Sequence, residues 1–268
     1  MDTNRWKVEL SSAQVSDASW IEVQVHPRAF DVSSGVVLWR DVAFPLYKVE
    51  AQTWLTRVAV PYYETSGRYP LVVFLKSQEG RVGEVRFESV QVHRRIYPSE
   101  TLRVDPDKVA PPDRLLVRIL SEKPKIRSLY AESSMHGPLS FDFIPPLTSK
   151  ITSRYGNQRV YNGMLKGEHS GTDFRAATGT PIRAPADGVV IGTEDLFFTG
   201  NTLFLDHGGG LVTFYAHLSR FKRRVGDKIK QGEIIALSGN TGRSTGPHLH
   251  WSAVLHGQKF DPEFLLRR

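Results

Sequence analysis

Six of the nine histidines in this 268-residue chain fall between His169 and His256. Imidazole both binds metals and moves protons near neutral pH. His248 and His250 stand in the run Gly246-Pro247-His248-Leu249-His250-Trp251. In an extended segment residues i and i+2 project from one face, so both imidazoles would address one site with Leu249 turned away. That spacing alone suits a metal grip and a pair of ordinary half-buried side chains equally well. His169 and Asp173 stand in Glu168-His169-Ser170-Gly171-Thr172-Asp173-Phe174. Their i, i+4 spacing would align them on a helix, but Gly167 and Gly171 oppose one; in a loop or strand they can still converge on one ion. Joined with one imidazole of the H-x-H pair they supply two nitrogens and one oxygen, and a fourth tetrahedral position stays open for water. Three protein ligands with an open position is the arrangement of catalytic zinc, whereas structural zinc is closed by four.

The elements that must position these groups are short strands. Apolar residues make up 40% of the chain and charged residues 24%, which excludes disorder, collagen and coiled coil. No apolar run reaches the ~18–20 residues of a membrane span. The opening MDTNRWKVEL lacks the apolar core of a signal peptide, so an exported form is expected to have lost a leader. With no cysteine, thiolate metal sites, disulfides and cysteine nucleophiles are excluded. The net charge of +7 favours a polyanionic partner. The excess is concentrated late, with 15 basic against 10 acidic residues after position 150.

Residues 1–93 read as an immunoglobulin-like sandwich: Ile21, Val23 and Val25 alternate with polar residues, and Val36–Trp39, Trp54–Val60 and Leu71–Leu75 are strand-like runs. Val85/Phe87 and Val90/Val92 are out of phase by one residue, which predicts a bulge. Residues 94–145 read as a connector. Pro111-Pro112-Asp113 predicts the start of a short helix with Leu115, Leu116, Ile119 and Leu120 on one face, and a second helical turn is expected over Lys125–Ala131. Pro145-Pro146 then makes a stiff boundary. From residue 146 to 268 the pattern is again β, with tight glycine punctuation and no long helix. The fold class is therefore all-β and mainly antiparallel.

Five segments taken in order carry a resemblance. Ile151–Gly156 (ITSRYG), His169–Phe174 (HSGTDF), Gly179–Gly188 (GTPIRAPADG), Tyr215–Leu218 (YAHL) and Gly239–His250 (GNTGRSTGPHLH) are similar to the lysostaphin/LytM-type zinc metallopeptidases of bacterial peptidoglycan. The resemblance implies a zinc peptidase domain over residues 146–268, with one Zn2+ held by His169, Asp173 and His250. It also implies that His217 and His248 flank the attacking water. His248 is expected to be the general base, because it shares a strand face with His250. His217 is expected to be the oxyanion donor; the two roles could be exchanged. No position departs from this five-residue core, so activity is expected rather than the silent regulatory role of degenerate relatives.

The implied reaction is hydrolysis of peptide bonds in peptidoglycan, first of all by a D,D-endopeptidase acting on D-alanyl cross-links, with a glycyl endopeptidase as an alternative. The expected setting is the periplasm, cell surface or medium. The protein is expected to be a monomer, with stem or cross-link peptides as its partner. The N-terminal sandwich is expected either to position or to cover the cleft.

The remaining candidates read as structural. His207 fits a turn near the site, His256 a surface position, and His26, His93 and His136 show no partner pattern. Asp187, Glu194 and Asp206 could orient an imidazole but fit turns equally. Tyr155 and Tyr161 could line a cleft or fill a core. Arg220-Phe221-Lys222-Arg223-Arg224 reads as a solvated loop that could meet an anionic wall. The glycines at 208–210 and at 239, 242 and 246 lack the Lys-Ser/Thr ending of a phosphate loop. No nucleic-acid-binding pattern occurs, and none is expected to bind.

Overall fold

The computed structural model describes residues 6–28, 31–79, 82–131, 133 and 142–266; His136 lies outside them. Two compact units divide these residues, one running to Arg95 and the other beginning at Ile96.

The first unit is built from two sheets. Trp6–Leu10, Trp20–Pro27, Thr53–Ala59 and Tyr47–Glu50 form one in that order; Gln14–Ser16, Val82–His93, Gly67–Ser77, Val32–Trp39 and Val42–Pro45 form the other. The period-two pattern fixes the faces: Ile21, Val23 and Val25 are fully buried while Trp20, Glu22 and Gln24 stay half-buried. The bulge expected between Val85 and Val92 is absent. That stretch keeps one register against Gly67–Phe74 and the only irregularity of the pair lies between Phe74 and Lys76. The phase change in the sequence is therefore no insertion in the ladder. The described residues contain no helix long and apolar enough to cross a membrane.

In the second unit a large antiparallel sheet runs in the order Ile151–Ser153, Thr172–Arg175, His248–Leu255, Leu211–Phe221, Gly200–Gly208, Gly188–Leu196 and Lys228–Ile229. His248–Leu255 is a central strand buried from Leu249 onward, which is why its sequence alternates little in polarity. A small three-stranded sheet sits within the same unit. Ser99–Leu102 pairs parallel with Gln158–Tyr161, which pairs with Met164–Glu168.

Residues read from sequence as a connector thus contribute a strand to the second unit, and also a helix. In place of a short helix and a separate turn, one helix runs from Asp113 to Ala131 through Pro124. Proline removes a hydrogen bond to the carbonyl four residues back. Pro124 and Leu120 both lie on the exposed side, where water can take that carbonyl. The inward stripe is Leu115, Ile119, Glu122, Ile126 and Leu129, at helical spacing; Leu116 and Leu120, expected on the same face, are 39% and 59% exposed. Leu129 packs into a core of Leu196, Phe204, Val212, Phe214 and Val254.

Candidate active site

His250 and Asp173 are brought together by sheet register. Asp173 stands directly opposite His250 across the antiparallel pair of Thr172–Arg175 with His248–Leu255, a position where Cβ atoms lie ~4.5–5.5 Å apart. His248 precedes His250 by the strand period and shares its face. His169 lies just past the Met164–Glu168 strand. Its backbone is tied down by Gly156 N donating to its carbonyl at 2.7 Å and by its own N–H donating to the Asn157 carbonyl at 2.8 Å. Gly171 makes the approach possible: a Cβ there would lie 2.5 Å from Ser252 Oγ and 2.6 Å from the His250 ring.

The result is a triangle of donor atoms. His169 Nε2, Asp173 Oδ1 and His250 Nδ1 are separated by 2.9, 2.9 and 3.0 Å. The outer nitrogens decide what these atoms carry. His169 Nδ1 lies 2.9 Å from the Arg154 carbonyl, which can only accept, so Nδ1 holds the proton and Nε2 a lone pair. The Ser252 hydroxyl donates to the Ser170 carbonyl. Its oxygen therefore accepts from His250 Nε2 at 3.0 Å, leaving a lone pair on Nδ1. Two imidazole lone pairs and a carboxylate oxygen thus converge, all three residues being buried. Such a set needs a cation, and its chemistry fits zinc, which takes nitrogen and carboxylate oxygen at ~2.0–2.2 Å. Burial alone would raise the Asp173 pKa, but the two adjacent histidines hold it well below the usual carboxylate range. Burial pushes His250 down to about 4, so it stays neutral and able to ligate at physiological pH.

His217 and His248 flank this triangle, their ring centroids 4.7 Å apart and that of His217 5.9 Å from His250. His248 Nε2 lies 3.8 Å from Asp173 Oδ1. A bulge aims His217. Asn201 pairs with Leu218 and Leu203 with Tyr215, so Ala216 and His217 together oppose Thr202. His217 takes a left-handed φ of 59° there, an uncommon conformation for a residue with a Cβ. Its Nδ1–H donates to the Thr241 carbonyl at 2.7 Å; that of His248 donates to the Gly246 carbonyl at 2.8 Å. Both therefore present Nε2 lone pairs. Burial pushes His217 down to about 3, which opposes the N–H donor role expected of it.

The sequence did not disclose the groups behind Asp173. Arg159 donates to Asp173 Oδ2 at 2.9 Å and pairs with Glu100 at 3.0 Å. This leaves Oδ1 as the oxygen facing the triangle and makes a strand of the expected connector part of the site. Glu100 also accepts from Ser153 Oγ at 2.8 Å and from Asn157. Parallel pairing of Ser99–Leu102 with Gln158–Tyr161 brings Glu100 opposite Arg159, a contact no local motif encodes. Tyr161 lines the cavity with His169, His217 and His248, whereas Tyr155 is buried.

The other candidates lie elsewhere. His207 bonds the Asp187 carbonyl and Thr213 Oγ1, both at 2.8 Å, and packs on Phe143. Asp187 pairs with Lys230, Glu194 with Lys125, and Asp206 accepts from Ser133 Oγ and Gly208 N. His256, expected on the surface, is half-buried against Gly210.

Residues 167–262 match the family model described as peptidase family M23. The chain is 40% identical over 116 residues to the peptidoglycan DD-endopeptidase ShyA of Vibrio cholerae, which covers 42% of this chain and 27% of that protein. It is 46% identical over 125 residues to the DD-carboxypeptidase/endopeptidase Mpg of Neisseria meningitidis, covering 46% and 28%. The chain thus spans less than a third of the length of these curated relatives. A solved structure from Pseudomonas aeruginosa, described as a peptidase M23, matches with a TM-score of 0.69 at 26% identity and covers 93% of both chains. The matched segment contains all five expected site residues, His169, Asp173, His217, His248 and His250, so the C-terminal part of this chain is similar to peptidase family M23 where the site lies.

Proposed function

We propose that the protein is a zinc-dependent endopeptidase that hydrolyses peptide bonds of bacterial peptidoglycan. The observation that carries this reading is the convergence of three lone pairs within 3.0 Å beside two further imidazoles in one cavity. Zinc held by His169, Asp173 and His250 would supply Lewis acidity, lowering the pKa of a water toward ~7 and drawing charge from the scissile carbonyl. His248 keeps some exposure, so its Nε2 can take the water's proton and return it to the leaving amine. His217, kept neutral by burial, accepts a hydrogen bond from the same water and aims it. The donor role expected of His217 would require an imidazolium, which its environment disfavours.

Cleavage of D-alanyl cross-links is the favoured specificity, because one relative is named a peptidoglycan DD-endopeptidase and another a DD-carboxypeptidase/endopeptidase. A substrate of this kind places the protein's work in the periplasm or outside the cell, and a monomer suffices for it, because all five residues come from one chain. Mass spectrometry of purified peptidoglycan tests the reading: cross-linked dimers fall to monomers with the wild type, and persist with His250→Ala or with a chelator. Persistence of dimers with zinc-loaded wild type would overturn it and favour a regulatory role.

A further inference from the structure

Arg243 is a cation in the catalytic cavity whose charge no described carboxylate answers. It lines the cavity together with His217 and His248. Its guanidinium carbon lies 4.4 Å from the Tyr161 ring centroid and 4.6 Å from that of Phe198. Its one backbone acceptor, the Lys108 carbonyl, is 3.5 Å away, at the limit of a hydrogen bond. Burial lowers its pKa, an effect that Tyr161 opposes by charge and by a side-chain hydrogen bond and that nearby Arg159 reinforces. Arg159, the other guanidinium lining the cavity, is paired with Asp173 and Glu100. Cation–π contacts hold an arginine in place without using its N–H donors, and the bonds to Tyr161 and the Lys108 carbonyl use only part of its planar fork.

The position of Arg243 is also fixed relative to the reacting groups. Its loop supplies the carbonyls that orient both catalytic imidazoles, Thr241 for His217 and Gly246 for His248. The Arg243 N–H donates to the Phe198 carbonyl at 2.7 Å. Gly242 crosses Gly200 so closely that a Cβ on Gly242 would lie 2.4 Å from the Gly200 nitrogen. The guanidinium is thus presented from a rigid loop between two aromatic rings.

We propose that Arg243 binds a substrate carboxylate, so that the site selects peptides carrying a free carboxylate close to the scissile bond. This rests on the peptidase reading and names the chemistry that the cavity recognises in its substrate. Two carboxylates could supply it: the C-terminal one of the peptide, or the side-chain one of a diamino acid in the stem. A charge-assisted bond of ~1.5–3 kcal/mol corresponds to roughly 10–100-fold in affinity or kcat/KM.

The test uses three versions of a cross-linked stem-peptide dimer: both carboxylates free, the C-terminal one amidated, and the diamino-acid one amidated. Binding is measured with chelator-treated protein and cleavage with zinc-loaded protein. Amidation of one carboxylate is expected to weaken wild-type binding and kcat/KM by at least tenfold and to show which group Arg243 reads. Arg243→Met should lose the same factor on the free peptide and no longer distinguish it from the amide, with Arg243→Lys partly restoring the difference. Equal wild-type binding of all three peptides, or an Arg243→Met loss that is the same for free and amidated forms, overturns the inference. A binding preference without cleavage sustains it and refutes the peptidase reading instead.

Discussion

Ser252→Ala should weaken metal binding by about tenfold, while Ser153→Ala, equally close to the site, should change it little. Ser252 Oγ accepts the Nε2 proton of His250 at 3.0 Å while passing its own to the Ser170 carbonyl. Without the hydroxyl, His250 gains by moving its proton to Nδ1, where Asp173 Oδ1 at 2.9 Å accepts it. That proton then occupies the direction in which a metal must bind. The lost hydrogen bond is worth ~0.5–1.5 kcal/mol, and 1.4 kcal/mol is tenfold, at the low end of the ~10–100-fold seen for partners behind metal ligands. Ser153 Oγ also approaches a ligand, lying 3.1 Å from His169 Nδ1. There, however, the Arg154 carbonyl at 2.9 Å still holds the proton when the hydroxyl is removed, so a loss of less than about threefold is expected. Zinc affinity is read by competition against a chromophoric chelator at pH 7, with the melting temperature of the metal-free proteins as control for folding. Equal losses in the two variants, or no loss in Ser252→Ala, would refute the tautomer argument.

Three further outcomes follow from the same contacts. Arg159→Met leaves Asp173 and Glu100 as neighbouring, mostly buried carboxylates with no cation between them; a loss of about 3 kcal/mol is expected, seen as a lower urea midpoint of metal-free protein, and an unchanged midpoint would contradict the pairing. His207 is pushed down to about 4 chiefly by burial, so between pH ~6.5 and 4 the unfolded chain binds the proton more readily; its contribution is full above pH 6.5 and declines as pH falls, and His207→Gln should flatten part of the drop in urea midpoint between pH 7 and 5. Leu129→Ala opens a cavity among Phe204, Phe214 and Val254 and should cost ~2–5 kcal/mol, with an unshifted melting temperature telling against the helix as part of this core.

The sequence discloses the parts of this site that depend on short-range periodicity. His248 and His250 can be placed on one face because a strand repeats every two residues. Residue chemistry proposes an imidazole-and-carboxylate donor set, and the resemblance selects His250 over His248 within it. What it conceals depends on pairing between distant segments. Glu100 reaches Arg159 only through a parallel pair joining residues 99–102 to 158–161, and nothing around Glu100 marks it. The bulge at Ala216 and His217 is a single extra residue in a strand that otherwise reads normally. Gly171 could be read as a helix breaker, but not as the place where backbone must pass beside His250.

The helix shows the same limit from the other side. Its inward stripe from Leu115 to Leu129 is visible only once Pro124 is allowed inside it, and proline's usual meaning as a breaker splits the segment in two. With Glu100 behind Asp173 through Arg159 and Leu129 in the core, residues 96–131 belong physically to the second unit, although their composition sets them apart from it. A truncation through residue 144 would therefore remove a support of Asp173 along with the first unit. Any change in activity it caused would mix the loss of that support with the loss of the first unit, and a cut close to Arg95 separates the two.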